Sequence, residues 1–507
     1  MTFAATSSAV VIGLSGHIVC VEADLSPGLG GFHLMGLPEA TMAETRDRVR
    51  AAILNSGWDW PSARLTVNVL PSSTPKYGTT LDLAIAVAIL AADGKLSAES
   101  LANIAFLGEL GLDGAIRHVR GLSCAIRALV SSGIRRVAIP SSNATDGVRC
   151  AVISAASLVE LVEHLNNDAP ATLPMTLAEE SPPLDLADLQ GNHAAQHALE
   201  VSAAGGHHLL LIGDGPATML AERLPGILPE LDDTTAAQVS DIYSLTETPW
   251  RSRRPPLCAP HYTNTAAAIF GRRTKGMLRP GAVSLAHAGV LFLDQTPEYA
   301  RSILDGLRRP LEYGEIILAD WEGTLCLPAR FQLLLATPPC PCGTSSCACG
   351  PVTRQRYLNR LAGLRDHIEI TAPIEPIDRN TEPREISAIV AERVAAARAR
   401  AAHRLLGTPW RTNAEIPAPE LRTQYRLDAD ALAPLENRLR CGALTPQHPD
   451  ADSARGLDPG RSARSRPSDR GRRPAGPSPL AGRARIAVHA APRWSISPPG
   501  RPSPCPI

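Results

Sequence analysis

A length of 507 residues, 44% of them apolar and 4% aromatic, predicts two or three domains with mainly aliphatic cores. Fifty Lys and Arg balance fifty Asp and Glu, so no global field draws the chain toward nucleic acid or an anionic membrane, and any such contact must come from local clusters. No run is long enough to span a bilayer. The first apolar stretch, Ala9 to Leu14, has no basic residue ahead of it and is too short for a signal peptide, which predicts a cytoplasmic chain.

From Ser15 to about Leu165, strand-like runs such as Ile18-Val19-Cys20-Val21 and Leu65 to Leu70 alternate with helical stretches such as Ala43 to Leu54 and Leu81 to Ala92. This pattern predicts an α/β or α+β domain over residues 1–167. Residues 168–183 are rich in Ala, Pro, Thr and acid without apolar periodicity and read as a linker. Leu209-Leu210-Leu211-Ile212 is then a short apolar run of the kind a buried parallel strand needs, and Met219 to Leu224 restarts with helical spacing.

Strand, glycine turn and helix is the layout of a phosphate loop. Its chemistry calls for GxxxxGK[ST]: glycines let backbone N–H groups curl around the phosphates, the lysine reaches the β/γ oxygens, and the hydroxyl holds Mg²⁺. Here Gly213, Asp214, Gly215 and Thr218 are present and the lysine is not. Downstream, Gly289 to Leu293 predicts a second buried strand ending in Asp294, a carboxylate placed to hold Mg²⁺. The next residue, Gln295, is an amide that cannot take a proton from an attacking water. Taken singly, each motif also has an ordinary structural reading.

Four cysteines, Cys340, Cys342, Cys347 and Cys349, form C-P-C-x4-C-A-C. This spacing could set four sulfurs around one zinc ion, which a reducing cytosol favours over disulfides. The C-x-C spacing is tighter than the usual C-x2-C knuckle, so four free thiols stand as the alternative. His207, His208 and His261 lack metal-site spacing and read as packing or nucleotide-edge residues. The clusters Arg251-Arg253-Arg254 and Arg272-Arg273-Lys275-Arg279 are solvated loops or local contacts for DNA. Arg384 to Leu406 is a long helical pattern and Leu421 to Leu439 suggests one or two more helices, whereas residues 441–507 are Pro, Gly, Ser and Arg-rich and cannot bury a core.

Between Asp188 and Ile370, the words GGHHLLLIG, TMLAERLPGILP, CAPHYTNTAAAIFG, LRPGAVSLAHAGVLFLD, LRRPLEYGEI, LPARFQLLLAT and PCPCG resemble the magnesium-chelatase-like branch of the AAA+ ATPases, specifically ComM-type competence proteins. The similarity runs from about Ser15 to about Thr445. It implies an α/β fold with an AAA+ P-loop core over 184–373 and a helical lid over 374–440. It also implies a homo-oligomeric ring, often a hexamer, that binds ATP and Mg²⁺ between subunits and acts on DNA during recombination. Four departures bear on that chemistry. The family's GPPGxGKT is the shorter GDGPAT here; its Walker B glutamate is Gln295; its sensor asparagine is Pro338; and its DRID word, after a shortening around Gly363-Leu364, reads Asp366-His367-Ile368-Glu369, placing His367 where the arginine belongs, with Arg365 a substitute only if the shortening changes the register. Turnover is therefore predicted to be very weak or absent, with feeble nucleotide binding through Asp294, Thr218 and the backbone.

The words PKYGTTLDLAIAVAIL, FLGELGLDGAIRHVRGL and SGIRRVAIPSSN match the family's N-terminal domain, which is similar to the Lon protease domain. The positions of the Lon Ser-Lys dyad hold Thr80 and Ser123, which implies a structural or docking unit rather than a peptidase. The helix that closes the family's lid is missing. Codons exist for Asp452 to Ser465 that, read one nucleotide later, spell TLRVAWTLADLLGR, the missing helix; a frameshift between about Thr445 and Asp452 accounts for this, the alternative being a basic tail that binds nucleic acid by counterion release. Two functional readings stay open: a degenerate, non-hydrolysing family member, or an active DNA motor whose site losses are errors of sequence.

Overall fold

The computed structural model describes residues 3–97, 99–143, 150–167, 182–248, 250, 252–274, 276–320, 323–343, 347–376 and 385–425. Most of the expected linker, the far end of the expected lid and all of the tail, with the proposed frameshift, lie outside the described residues.

The chain opens with β1 (Phe3–Ile12), β2 (Ser15–Ser26), β3 (Gly31–Met35), β4 (Arg64–Leu70), β5 (Ile104–Phe106), β6 (Glu109–Leu110), β7 (Ile116–Arg117), β8 (Arg136–Pro140) and β9 (Ala151–Ala155). Seven of these make a mixed sheet in the order β3-β4-β2-β1-β5-β8-β9, with β6 and β7 as a separate ribbon. The alternation of Leu65, Val67 and Val69 with half-exposed neighbours turns one face of β4 into the core. Helix Asp82–Ala92 is buried at every position, which is why its sequence is apolar all round rather than amphipathic. Its one charge, Asp82, is 1% exposed and is met by Arg48 of helix Glu39–Asn55 at 2.9 Å.

The later strands are β10 (Leu209–Gly213), β11 (Leu257–Cys258), β12 (Gly271–Thr274), β13 (Met277–Pro280), β14 (Val290–Leu293), β15 (Glu315–Asp320), β16 (Gly323–Pro328), β17 (Gln332–Thr337) and β18 (Ile370–Ile374). A five-stranded sheet has the order β11-β14-β17-β10-β18, and β12–β13 and β15–β16 are two-stranded ribbons. β10 pairs in parallel with both β17 and β18, as does β11 with β14. β14 and β17 are buried along their whole length, matching the continuous apolar runs that a covered parallel sheet requires. The α/β class expected from the sequence is the one observed. Gly289, expected inside the β14 strand, lies just ahead of it, where a side chain would meet the Pro256 carbonyl oxygen at 2.0 Å.

Two compact units emerge from the contacts. The first comprises Met1–Pro182, Glu230–Leu291 and Gly306–Phe331; the second comprises Pro183–Pro229, Phe292–Asp305 and the described part of Gln332–Ile507.

Candidate nucleotide site and cysteine centre

In the parallel sheet, the chain leaving β10 heads toward the β11 edge, whereas the chain leaving adjacent β17 crosses to β18 on the other side. Such a reversal opens a crevice at the carboxyl ends of the two strands, where ligands of open α/β sheets bind. The register Ile212↔Thr337 places Gly213 and Pro338 side by side at that end. Asp294 and Gln295 follow β14, the neighbour of β17 on its far side, and both are exposed. Gly213, Asp214, Gly215, Thr218, Asp294, Gln295 and Pro338 are thus all placed at the carboxyl-end edge.

The glycines of the turn have a local cause. Gly213 has φ +150° and a Cβ there would lie 1.8 Å from the Ile374 carbonyl oxygen; at Gly215 it would lie 2.3 Å from that of Glu375. The chain leaving β18 is held against the turn by Asn192, whose Nδ2 donates to the Glu375 carbonyl at 2.8 Å while its Oδ1 accepts the Glu375 N–H at 2.7 Å. Gly213→Ala is expected to lower stability by about 2 kcal/mol or more, through backbone strain and displacement of Ile374, and a denaturant midpoint unchanged from the parent would contradict this packing.

Helix Ala217–Ile227 starts after Pro216 with no side-chain cap, and the Ala217 N–H turns back to the Gly215 carbonyl at 2.9 Å. Asp214 and Thr218 are exposed. The first basic residue after the turn is Arg223, which is 4% exposed. Its guanidinium is already occupied, donating to the Asp185 carbonyl at 2.6 Å, the Met219 carbonyl at 3.0 Å and the Asp188 carboxylate at 3.3 Å.

On the facing strands, Gln295 has φ +47° and donates its N–H to Asp294 Oδ1 at 2.8 Å. Thr296 Oγ1 bonds the Leu293 carbonyl at 2.8 Å and the Ala336 carbonyl at 3.1 Å, tying the β14 end to β17. Pro338 offers no side-chain donor, and its carbonyl accepts from Thr337 Oγ1 at 2.9 Å. Burial, followed by a hydrogen bond to Glu298, pushes the Tyr357 phenol up to about 12. Arg360 reaches Glu298 at 3.6 Å. Glu298 and Arg360 lie outside the motifs legible in the sequence, because their pairing joins segments about sixty residues apart.

His367 is not brought to this crevice. It sits in the turn Arg365–His367 ahead of β18, where the Ile370 N–H reaches the His208 carbonyl at 3.2 Å, at the amino-end edge of the sheet. In the N-terminal sheet domain, the Thr80 carbonyl accepts from Gly108 N–H at 3.1 Å and Ser123 lies in helix Leu122–Ser131. Lys76, 2% exposed, directs its ammonium to the Pro71 carbonyl at 2.5 Å and the Thr74 carbonyl at 3.2 Å.

The sulfurs of Cys340, Cys342, Cys347 and Cys349 all lie within 4.8 Å of one another. Cys340 is buried and its Sγ stands 2.7 Å from that of Cys342 and 2.9 Å from that of Cys347. Hydrogen bonds from these two partners push the Cys340 thiol up to about 12.

Residues 185–382 match the family described as magnesium chelatase, subunit ChlI. Residues 21–143 match subunit ChlI of Mg-chelatase, and 384–449 match the ChlI C-terminal family. The chain is 42% identical over 459 residues to an uncharacterized protein of Mycobacterium tuberculosis, covering 86% of this chain and 90% of that one. It is 39% identical over 420 residues to competence protein ComM of Haemophilus influenzae, covering 78% and 82%. It is 35% identical over 460 residues to the uncharacterized protein YifB of Escherichia coli, covering 87% and 89%.

Proposed function

The chain belongs to the ComM-type, magnesium-chelatase-like AAA+ proteins, and from that membership we propose that it is an oligomeric, DNA-associated member of the family whose ATP hydrolysis is very weak or lost. One observation carries this reading: the 213–219 turn contains no cation, and the first basic residue after it, Arg223, is held by Asp185, Met219 and Asp188. ATP and Mg²⁺ bind feebly through Asp294, Thr218 and backbone N–H groups, and His367 stands in place of the arginine that would reach a neighbouring subunit's phosphate. The N-terminal domain is a structural or docking unit, since Ser123 stands where the Lon lysine would activate Thr80 and Lys76 is bonded to backbone carbonyls. A cytoplasmic location belongs to the same reading; among the described residues, no helix is long and apolar enough to cross a membrane. Zinc is its second cofactor, held by the four cysteines.

Contact with DNA is supported by the ribbon β12–β13. Arg272 and Arg279 are exposed and directly opposite each other across the two strands. Like charges so placed are unfavourable unless an anion lies between them. Arg273 is engaged instead by Asp320 and the Gly323 carbonyl. The double substitution Arg272→Glu and Arg279→Glu is expected to weaken single-stranded DNA binding at least tenfold and to reduce the salt slope by about 1.4. Unaltered affinity and slope would remove this ribbon from the interface.

The C-terminal family match stops at residue 449, just ahead of Asp452, where the out-of-frame helix begins. Sequencing the gene across this stretch tests the frameshift, and codons incompatible with that helix would defeat it.

A further inference from the structure

We propose that the metal held by Cys340, Cys342, Cys347 and Cys349 is a positional clamp, fixing the carboxyl ends of β14 and β17 through helix Pro351–Leu358, so that the shape of the crevice depends on zinc occupancy. The proposal rests on the zinc reading above. Two matching turns frame the centre: the Cys342 N–H points to Cys340 Sγ at 3.3 Å, and the Cys349 N–H points to Cys347 Sγ at 3.4 Å. Amide-to-sulfur bonds of this kind orient thiolate ligands and disperse their charge. A tetrahedron with Zn–S bonds of about 2.3 Å has edges of about 3.8 Å. The observed sulfur separations, from 2.7 Å to within 4.8 Å, bracket that value. Four thiolates without oxygen or nitrogen donors select a soft ion, and the tetrahedral S4 set is that of zinc or iron.

The place of the centre gives it its role. Cys340 is buried and follows the β17 end at Thr337 by three residues, and Gly350 after Cys349 is the cap of helix Pro351–Leu358. Arg354 on that helix donates back to the Cys347 carbonyl at 3.1 Å. The helix has 8 residues, of which only Tyr357 and Leu358 are buried. A helix so short is marginal by itself, so its first turn depends on what holds its start. Just past its far end lies the contact that matters: Arg360 pairs with Glu298 at 3.6 Å, four residues beyond Asp294. Metal, helix, Glu298 and Asp294 therefore form one connected chain of contacts within the second unit.

The test uses the full-length chain as purified, reloaded with zinc, and treated with a chelator. Elemental analysis is expected to give one zinc per chain, and Co²⁺ in its place should produce sulfur-to-cobalt charge-transfer absorption that is lost in Cys342→Ser/Cys349→Ser. Amide hydrogen exchange across 292–305 and 351–361 should quicken about tenfold or more on metal removal, while helix Asp82–Ala92 is unchanged. Arg360→Gln should retain the metal yet quicken exchange at 292–305, cutting the link without disturbing the ligands. Absence of stoichiometric metal, or iron in its place, would overturn the zinc reading and the clamp with it. Bound zinc with unchanged exchange at 292–305, or loosening that extends to Asp82–Ala92, would overturn the clamp alone.

Discussion

Purified chain supplied with ATP and Mg²⁺ is expected to release phosphate at least about a thousandfold more slowly than a relative that keeps GxxxxGK[ST] and the Walker B glutamate, whether or not single-stranded DNA is present. Phosphoryl transfer depends on positioned charge, and removing one such group commonly costs about 10²–10³ in rate. Here Gln295 cannot activate water, Pro338 has no donor to orient it, and the nearest arginine on the phosphate-loop helix is bound elsewhere. Replacing the 213–218 turn with a full GxxxxGKT loop together with Gln295→Glu should restore ATP binding measured by equilibrium filtration. It should not restore full turnover while Pro338 remains. Failure of the repaired chain to bind would place the damage in the fold itself. Stimulated, steady hydrolysis by the sequence-verified parent chain would end the non-hydrolysing reading.

The parts of this fold legible in the sequence are those whose physics is local. Continuous apolar runs marked β10 and β14, and β14 is buried along its whole length because a strand covered on both faces needs no alternation. The patterns Ala43 to Leu54, Leu81 to Ala92 and Arg384 to Leu406 became helices Glu39–Asn55, Asp82–Ala92 and Ser387–Arg404. The glycine turn was legible as a turn, but the reason for its glycines was not. Gly213 and Gly215 are pressed by Ile374 and Glu375, more than 150 residues away, and held there by Asn192. The position of His367 at the opposite edge from the crevice likewise required the register Leu209↔Ile370. Cysteine spacing pointed to the four clustered sulfurs, while the path from them to Glu298 runs through the tertiary pairing of Arg360 that no spacing encodes.

Replacing Arg48 with Met should destabilise the N-terminal sheet domain by about 3–5 kcal/mol at pH 8 and by markedly less at pH 5. Burial raises the Asp82 carboxyl to about 6, with its hydrogen bond to Arg48 pulling the other way. Glu109 also faces this group and raises it further, while Glu44 lies 3.8 Å from Arg48 on the outer side. Because the folded value lies above the unfolded one, the folded state holds more protons between about pH 4 and 6. Stability from this group is accordingly full below that window and declines as pH rises through it, by about 3 kcal/mol for a shift of roughly two units. Without Arg48 the carboxyl rises further, so the decline continues above pH 6 and the loss grows toward pH 8. Hydrogen exchange of the Asp82–Ala92 amides, corrected for intrinsic rates, reads the opening free energy at each pH. Asp82→Asn, which cannot ionise, should flatten the dependence. Equal losses for Arg48→Met at pH 5 and pH 8 would mean that Arg48 supports the helix by packing alone and that Asp82 carries no charge in the folded domain.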